Sequence, residues 1–417
     1  MRIALLSGEY PPQPGGVGDY TRCLAEALGE RGHTVTVLTI QERRLRLYGA
    51  ADLPEQPFDR LDWSLRCWPA VIDALDRLRP HWLHIQYQTG AYGMRPGVNL
   101  LPWRLRALPG RPRIAVTFHD LLTPYLFPRA GPLRRWVNWR LARDADVVIA
   151  TTAADAAHLS DLYQLPLMMP HCLKRFQALC CPAWQSTIQN LKSKMVLHAH
   201  VIPIGSNIPV APPAGFERAA WRARLGPDVS GRLVAFFGLL APSKGLDVLL
   251  EALARLDPSW RLVIIGGAAT APQDVAHAEA VRALARRLGL ASRVHETGHL
   301  AAEEVSAWLL AADLAVLPFR DGASFRRGSL LAALAHGCPV VSTLPADPAT
   351  TEALGPAALL VPPNDPAALA AAMVALAADD PARARLAVAG RALAARFSWG
   401  AIAAHHEALY EGRSRGV

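Results

Sequence analysis

Three loops in this sequence pair glycines with a cation or with the start of a helix, an arrangement that holds phosphate esters. The first is Pro14-Gly15-Gly16-Val17-Gly18-Asp19. Small residues there let a ligand reach the backbone at a positive helix N-terminus, so Gly15, Gly16 and Gly18 are candidate binding positions. A tight turn with no ligand fits the same residues. The second loop, Gly238-Leu239-Leu240-Ala241-Pro242-Ser243-Lys244-Gly245, carries the only lysine beyond residue 200. A lone cation at the C-terminal end of a parallel strand is well placed for an anionic ligand; a solvated lysine opening a helix is the plainer alternative. The third loop runs Phe319-Arg320-Asp321-Gly322-Ala323-Ser324-Phe325-Arg326-Arg327-Gly328-Ser329. Ser329 is expected to cap the helix 330–336, and that N-terminus with Arg326 and Arg327 suits a diphosphate. An exposed basic turn is the alternative. The missing GxxxxGK[ST] argues against ATP or GTP hydrolysis, and the first loop misses GxGxxG in spacing, which argues against a dinucleotide.

The elements that carry these loops repeat one design. Residues 2–6 form a short apolar strand, 20–31 carry apolar residues at helical spacing before Gly32, and 33–39 are β-rich. That βαβ order calls for a parallel sheet, extended by strands at 82–86, 114–118 and 147–151. A second series has strands at 233–237, 262–265, 314–317 and 340–342, with helices at 246–256 and 330–336. The chain reads as two α/β domains, 1–203 and 204–396, joined at 201–207, with a last helix at 399–411 inside a closing segment 397–417. Residues 161–199 differ in composition: they hold three of the four lysines, three of the six cysteines (Cys172, Cys180, Cys181) and three of the six methionines. A surface insertion or a shifted reading frame explains this. A metal site built from His171, Cys172, Cys180, Cys181, His198 and His200 lacks CxxC or HxxxH spacing, so no metal centre is expected.

Composition narrows the function further. With 417 residues, 51% hydrophobic and 19% charged, the chain has material for sizeable cores and is not a disordered one. A long stretch without Asp, Glu, Lys or Arg, 328–346, contains Gly, Pro and His and makes a poor transmembrane helix. The start, MRIALLSGEYPP, has too short an apolar run for a signal peptide, and six unpaired-looking cysteines suit a reducing cytoplasm. A net charge of +9 fits phosphorylated small molecules, anionic lipid or nucleic acid. Without a helix-turn-helix or zinc signature, nucleic acid is not expected as a partner.

The motifs also follow a familiar order. They are GEYPPQPGGVGDYT at 8–21, FHD at 118–120, VIPIGSN at 201–207, GLLAPSKGLDVLLEAL at 238–253, LVIIGG at 262–267, HETGHL at 295–300, AADLAVLPF at 311–319, HGCPVVST at 336–343 and LLVPPNDPAAL at 359–369. On these the chain resembles the family 4 glycosyltransferases of group 1 type, over nearly its whole length except 161–199. The resemblance implies the GT-B fold: two Rossmann-like parallel-sheet domains facing across a cleft, the first for the acceptor and the second for a nucleotide-sugar. The last helix would cross back to the first domain. The implied reaction moves a hexosyl group, with retention, from a nucleotide-sugar to a saccharide or lipid-linked acceptor in polysaccharide or glycoconjugate biosynthesis, with no metal or other cofactor. Lys244 matches a family lysine, and His119 a family histidine near the donor sugar. Gly238, Gly266, His299, Ser324, Gly328 and Ser329 are expected on the donor, with the first-loop glycines. By sequence alone His119-Asp120 is equally a helix-capping pair.

Two departures stand out. Leu239 occupies the place of a usual family arginine, and Ser324 and Ala332 occupy the places of two glutamates that support the donor sugar and the ribose. Their loss admits a rival class, a non-catalytic nucleotide-sugar-binding protein on the same fold. Arg326 or Arg327 is expected to supply the missing charge and, with Lys244, to stabilise a departing diphosphate. A phosphorylase would need a pyridoxal-binding lysine, and Lys244 is in the wrong context for one. On the acceptor side, residues 86–93 (QYQTGAYG) form a polar, aromatic loop suited to sugar contacts. The Arg/Trp-rich stretch 129–143, with Trp103, Arg104 and Arg106, suits an anionic membrane surface and so a cytoplasmic protein peripheral to the inner face of the plasma membrane. A surface helix with a half-buried aromatic face is the alternative.

Overall fold

The computed structural model describes residues 1–13, 15–49, 60–121, 131–164, 199–226, 231–267 and 272–413. Pro14, Pro128, Arg129 and the residues 165–198, with His171, Cys172, Cys180, Cys181 and His198, lie outside the described residues. The chain divides into two units: Met1–Pro203 with Ile402–Val417, and Ile204–Ala401.

In the first unit, β1 (Arg2–Ser7) leads through a Pro/Gly loop to α1 (Gly16–Glu30) and β2 (Thr34–Gln41). Ile3, Ala4, Leu5 and Leu6 are buried, because a strand inside a parallel sheet has both faces covered. The helix forms because Val17, Tyr20, Thr21, Leu24, Ala27 and Leu28 recur at three- and four-residue spacing and bury one face. It ends where Gly32 N–H donates to Gly29 O and His33 N–H to Leu28 O, at 2.9 and 3.1 Å. β2 then turns into β3 (Arg44–Tyr48), its antiparallel partner. The sequence reading missed this hairpin. Its turn residues Glu42 and Arg43 have φ of 51° and 61°, a geometry usually signalled by Asn-Gly.

The unit continues with α2 (Trp68–Leu78), β4 (Trp82–Tyr87), α3 (Gly97–Arg106), β5 (Arg113–Phe118), α4 (Gly131–Asp144), β6 (Val147–Ala150), α5 (Ala153–Gln164) and β7 (Ala199–Val201). The strand order is β3-β2-β1-β4-β5-β6-β7, parallel except for β2 with β3.

The second unit runs α6 (Arg218–Ala223), β8 (Leu233–Phe237), α7 (Leu246–Leu253), β9 (Arg261–Ile265), α8 (Pro272–Arg287), β10 (Val294–Glu296), α9 (Ala302–Ala311), β11 (Leu314–Leu317), α10 (Gly328–Ala335), β12 (Val340–Thr343), α11 (Pro348–Leu354), β13 (Ala358–Val361), α12 (Pro366–Ala378) and α13 (Asp380–Ala395). Its all-parallel sheet has the order β10-β9-β8-β11-β12-β13, with an apolar core on each face.

The last helix, α14 (Trp399–Tyr410), belongs to the first unit from Ile402 onward. There the Tyr410 hydroxyl lies 2.6 Å from His84 Nδ1, and its ring stacks at a tilt 5.1 Å from Trp82. His84 Nε2 is 2.8 Å from Thr117 Oγ1. No helix among the described residues is long and apolar enough to cross a membrane.

Candidate active site

The C-terminal ends of the second unit's strands gather most of the expected donor residues. Gly238 follows β8, and its N–H donates to Ile265 O at 3.0 Å, while Leu240 N–H donates to Gly267 O at 3.1 Å. The loops after β8 and β9 therefore run against each other. Gly266 sits at φ 127°, and a Cβ there would lie 2.4 Å from Gly238 O, so only glycine permits this approach. Gly266 also bridges Gly298, which brings the exposed His299 to the same edge.

Lys244 closes a short turn, Pro242–Lys244, and its side chain runs back past Gly238, within 3.7–3.9 Å of where a Cβ there would be. Its Nζ lies 5.2 Å from the centroid of the Phe319 ring, and the Arg327 guanidinium lies 5.0 Å from the same centroid. Two cations therefore share one aromatic ring. Burial pulls the Lys244 pKa from 10.5 to about 8; the nearby Arg327 charge adds to the drop and Asp321 opposes it. Arg327 also hydrogen-bonds the exposed Asp321 carboxylate. Phe319 is held in turn: Thr343 Oγ1 donates to its carbonyl at 2.7 Å.

Ser329 is not the cap of α10. The N-cap is Arg327, in an extended conformation and with no side-chain cap bond, so Ser329 lies within the first helical turn. It is 7% exposed, and its Oγ has no hydrogen-bond partner among the described residues. A buried hydroxyl left unsatisfied beside the orphan first-turn N–H groups of Gly328 and Ser329 points to a ligand there. Ser324 is half-buried, and its carbonyl accepts Arg327 N–H at 3.1 Å. Ala332, at the place of the second family glutamate, is 0% exposed and packed in the core. Arg326 is half-buried and has partners of its own. Leu239 is half exposed.

The first loop is arranged differently from the expectation. Glu9 Oε1 accepts Val17 N–H at 2.9 Å and Gly18 N–H at 3.3 Å, so the chain's own carboxylate occupies the N-terminus of α1. A Cβ at Gly15 would meet that carboxylate at 2.2 Å. Gly15 and Gly18 thus make room for Glu9, and the Gly18 N–H is not open to an external anion. His119 follows β5; its Nε2 is 2.9 Å from Gln86 Oε1 and its ring packs edge-on against Tyr20 at 4.5 Å.

The acceptor-loop expectation also needs correction. Tyr87 and Tyr92 are each 1% exposed. Tyr92 donates to Leu6 O at 2.9 Å and Tyr87 to Asn138 Oδ1 at 2.9 Å, so neither presents its face to a sugar. The described part of the Arg/Trp surface is more exposed: Trp103, Leu133 and Trp136 stand out from α3 and α4. The Arg140 guanidinium lies 5.7 Å from Trp103 and 5.9 Å from Trp139, while Arg143 covers Trp139 at 4.8 Å. Among the described residues no group of three or more His, Cys, Asp or Glu is placed to hold a metal.

Sequence reasoning held Phe319, Asp321 and Gln86 only as members of their loops and gave Glu9 no role. Phe319 opened the third candidate loop in the sequence and was given no role of its own. A glutamate preceding a glycine pair by a few residues was the available signal for Glu9.

Two parallel-sheet units with a cationic strand-end site in the second define a GT-B glycosyltransferase. The chain belongs to the group 1 glycosyltransferases: the Glycosyltransferase Family 4 model matches residues 14–168 and the "Glycosyl transferases group 1" model residues 231–379. Among curated relatives, a D-inositol 3-phosphate glycosyltransferase of Xylanimonas cellulosilytica is 37% identical over 49% of this chain and 49% of its own length. The chain thus spans about half the length of that relative. A protein of the same name from Corynebacterium urealyticum is 26% identical over 96% of this chain and 92% of its own. Among solved structures, a sucrose-phosphate synthase from Thermosynechococcus elongatus superposes with a TM-score of 0.66, at 22% identity, covering 99% of this chain and 98% of that one. Anabaena HepE, in complex with UDP and glucose, gives 0.65 at 20% identity over 99% of each chain. These likenesses establish the fold.

Proposed function

We propose that the protein is a retaining glycosyltransferase that moves a hexosyl group from a nucleotide-sugar to a saccharide or lipid-linked acceptor in polysaccharide or glycoconjugate biosynthesis. One observation carries the reading: a desolvated lysine and an arginine share the Phe319 ring beside an unpartnered serine at the start of α10. When the glycosidic bond to the diphosphate breaks, negative charge grows on the leaving oxygens while the sugar becomes oxocarbenium-like. Lys244, Arg327, the Ser329 hydroxyl and the first-turn N–H groups of α10 are the donors for that charge. One such oriented donor is worth ~3–4 kcal/mol in the transition state. Leu239 offers no charge, so Arg327 takes the part of the arginine absent from that position. His119 contacts the donor sugar in this reading, and the nucleotide-sugar is a substrate, with no resident cofactor invoked.

The reading includes a cytoplasmic protein whose α3–α4 surface meets an anionic membrane. Exposed Trp103, Leu133 and Trp136 among arginines support it. The deciding test is a thermal-shift panel of UDP-, GDP-, ADP- and dTDP-sugars, followed by donor hydrolysis with each hit. A donor at 100 times its Kd adds ~2.7 kcal/mol. A hit with turnover establishes the donor. A hit without turnover, with acceptors present, supports the non-catalytic binder instead, for which the buried Ala332 and the Ser324 substitution speak.

A further inference from the structure

Gln86 is the penultimate residue of β4, in register with Ser7 of β1 and Thr117 of β5, and it is 0% exposed. Buried glutamines at strand ends hold something, because a buried amide without partners carries a desolvation penalty. Its Oε1 lies 2.9 Å from His119 Nε2. Its own Nε2 has no hydrogen-bond partner among the described residues. The backbone N–H of His119 donates to Tyr87 O at 2.9 Å, which continues the strand pairing, and the ring itself packs edge-on against Tyr20 at 4.5 Å. An amide oxygen only accepts, so the His119 nitrogen facing it carries the proton.

We propose that Gln86 is a positioning residue for glycosyl transfer, holding the His119 ring in one orientation and one tautomer, with the proton on Nε2 and Nδ1 as the acceptor. The inference rests on the proposed role of His119 at the donor sugar. It assigns that histidine a definite polarity, a donor at Nε2 and an acceptor at Nδ1. A neutral amide partner suits this role, since a carboxylate in its place would draw a second proton onto the ring.

The test uses the full chain labelled with 15N-histidine. Two-bond 15N–1H correlations report the tautomer, with the His119 signal assigned by its loss in His119→Gln. The expected wild-type pattern is a neutral ring protonated at Nε2. Gln86→Leu should mix the tautomers and lower kcat for donor hydrolysis roughly five- to ten-fold, as for loss of one neutral hydrogen bond, while KM moves little. Gln86→Glu keeps the shape and the accepted bond, and should shift the ring toward the doubly protonated form. A wild-type ring protonated at Nδ1 overturns the proposal, as does a Gln86→Leu protein that keeps both the tautomer pattern and kcat. If the tautomer responds to Gln86 while His119→Gln leaves kinetics unchanged, the sugar-site role of His119 fails and the positioning proposal fails for catalysis with it. The tautomer assignment itself then stands as structural.

Discussion

Lys244→Met should make the protein more stable and nearly inactive. The lysine is largely buried, and its pKa falls from 10.5 to about 8. At about 1.4 kcal/mol per unit, that drop means the folded state gives up about 3 kcal/mol to keep the ammonium charged at pH 7. The sign follows from the direction of the shift. The folded value lies below the unfolded one, so between pH 10.5 and about 8 the unfolded chain holds the extra proton. Stability therefore rises with pH across that window, and the full penalty applies below it. Methionine keeps most of the side-chain length and packs against Phe319 without charge. For a unit of this size, each kcal/mol moves Tm by roughly 2–4 °C, so a rise of roughly 6–12 °C is expected at pH 7 without ligand. At pH 10 the difference between the two proteins should shrink. Donor hydrolysis should fall about 100- to 1000-fold, the scale of one oriented donor to a developing anion. Parallel thermal melts at the two pH values, with donor hydrolysis at pH 7, read all three effects. A variant that melts lower than wild type at pH 7, or one that keeps its turnover, would refute the picture of an ammonium held ready for a diphosphate.

Further outcomes follow from the same geometry. Arg327→Ala should lower kcat for donor hydrolysis by about 100-fold or more, and Leu239→Ala should leave it unchanged; equal effects would move the missing charge elsewhere. Glu9→Gln retains an acceptor for Val17 and Gly18 but loses the charge at the start of α1, and should reduce stability by ~0.3–1 kcal/mol in urea titrations at low salt. His406 is buried, and its pKa is driven from 6.5 to about 4. Its folded value lies below the unfolded one, so stability should be lost as pH falls from 6.5 toward 4, by about 3 kcal/mol in all, and urea titrations of His406→Leu should show a shallower slope. Trp103→Ala with Trp136→Ala should weaken co-sedimentation with anionic vesicles while leaving donor hydrolysis intact; unchanged sedimentation would remove α3 and α4 from a membrane role.

The strands were legible because parallel sheets covered on both faces leave long apolar runs such as Leu314–Leu317. The β2–β3 hairpin was not, because Glu42 and Arg43 adopt a left-handed turn that neither residue type announces. Lys244 was legible from its isolation in a glycine loop. Its partner Phe319 was not, because an aromatic at the end of an apolar strand reads as core until a cation is seen above it. The Ser329 cap failed for a local reason: the chain is already helical at Gly328, so the extended Arg327 takes the capping place. Tyr87 and Tyr92 were misplaced on a sugar-binding loop because their hydroxyls have partners inside the fold, and sequence does not show where a hydroxyl points. Glu9 pairs with amides eight and nine residues away, beyond what turn chemistry alone predicts.

The assignment of α14 to the first unit has a consequence for synthesis. A ribosome delivers residues 204–401, a complete sheet with both its apolar layers, before it delivers Ile402–Tyr410. The earlier-made sheet must wait with the polar row around His84 and the Trp82 ring uncovered until that last helix emerges. The unit that is started first is therefore finished last. A nascent chain stalled after Ala401 carries a completed second unit and an exposed patch on the first, the kind of surface that chaperones hold.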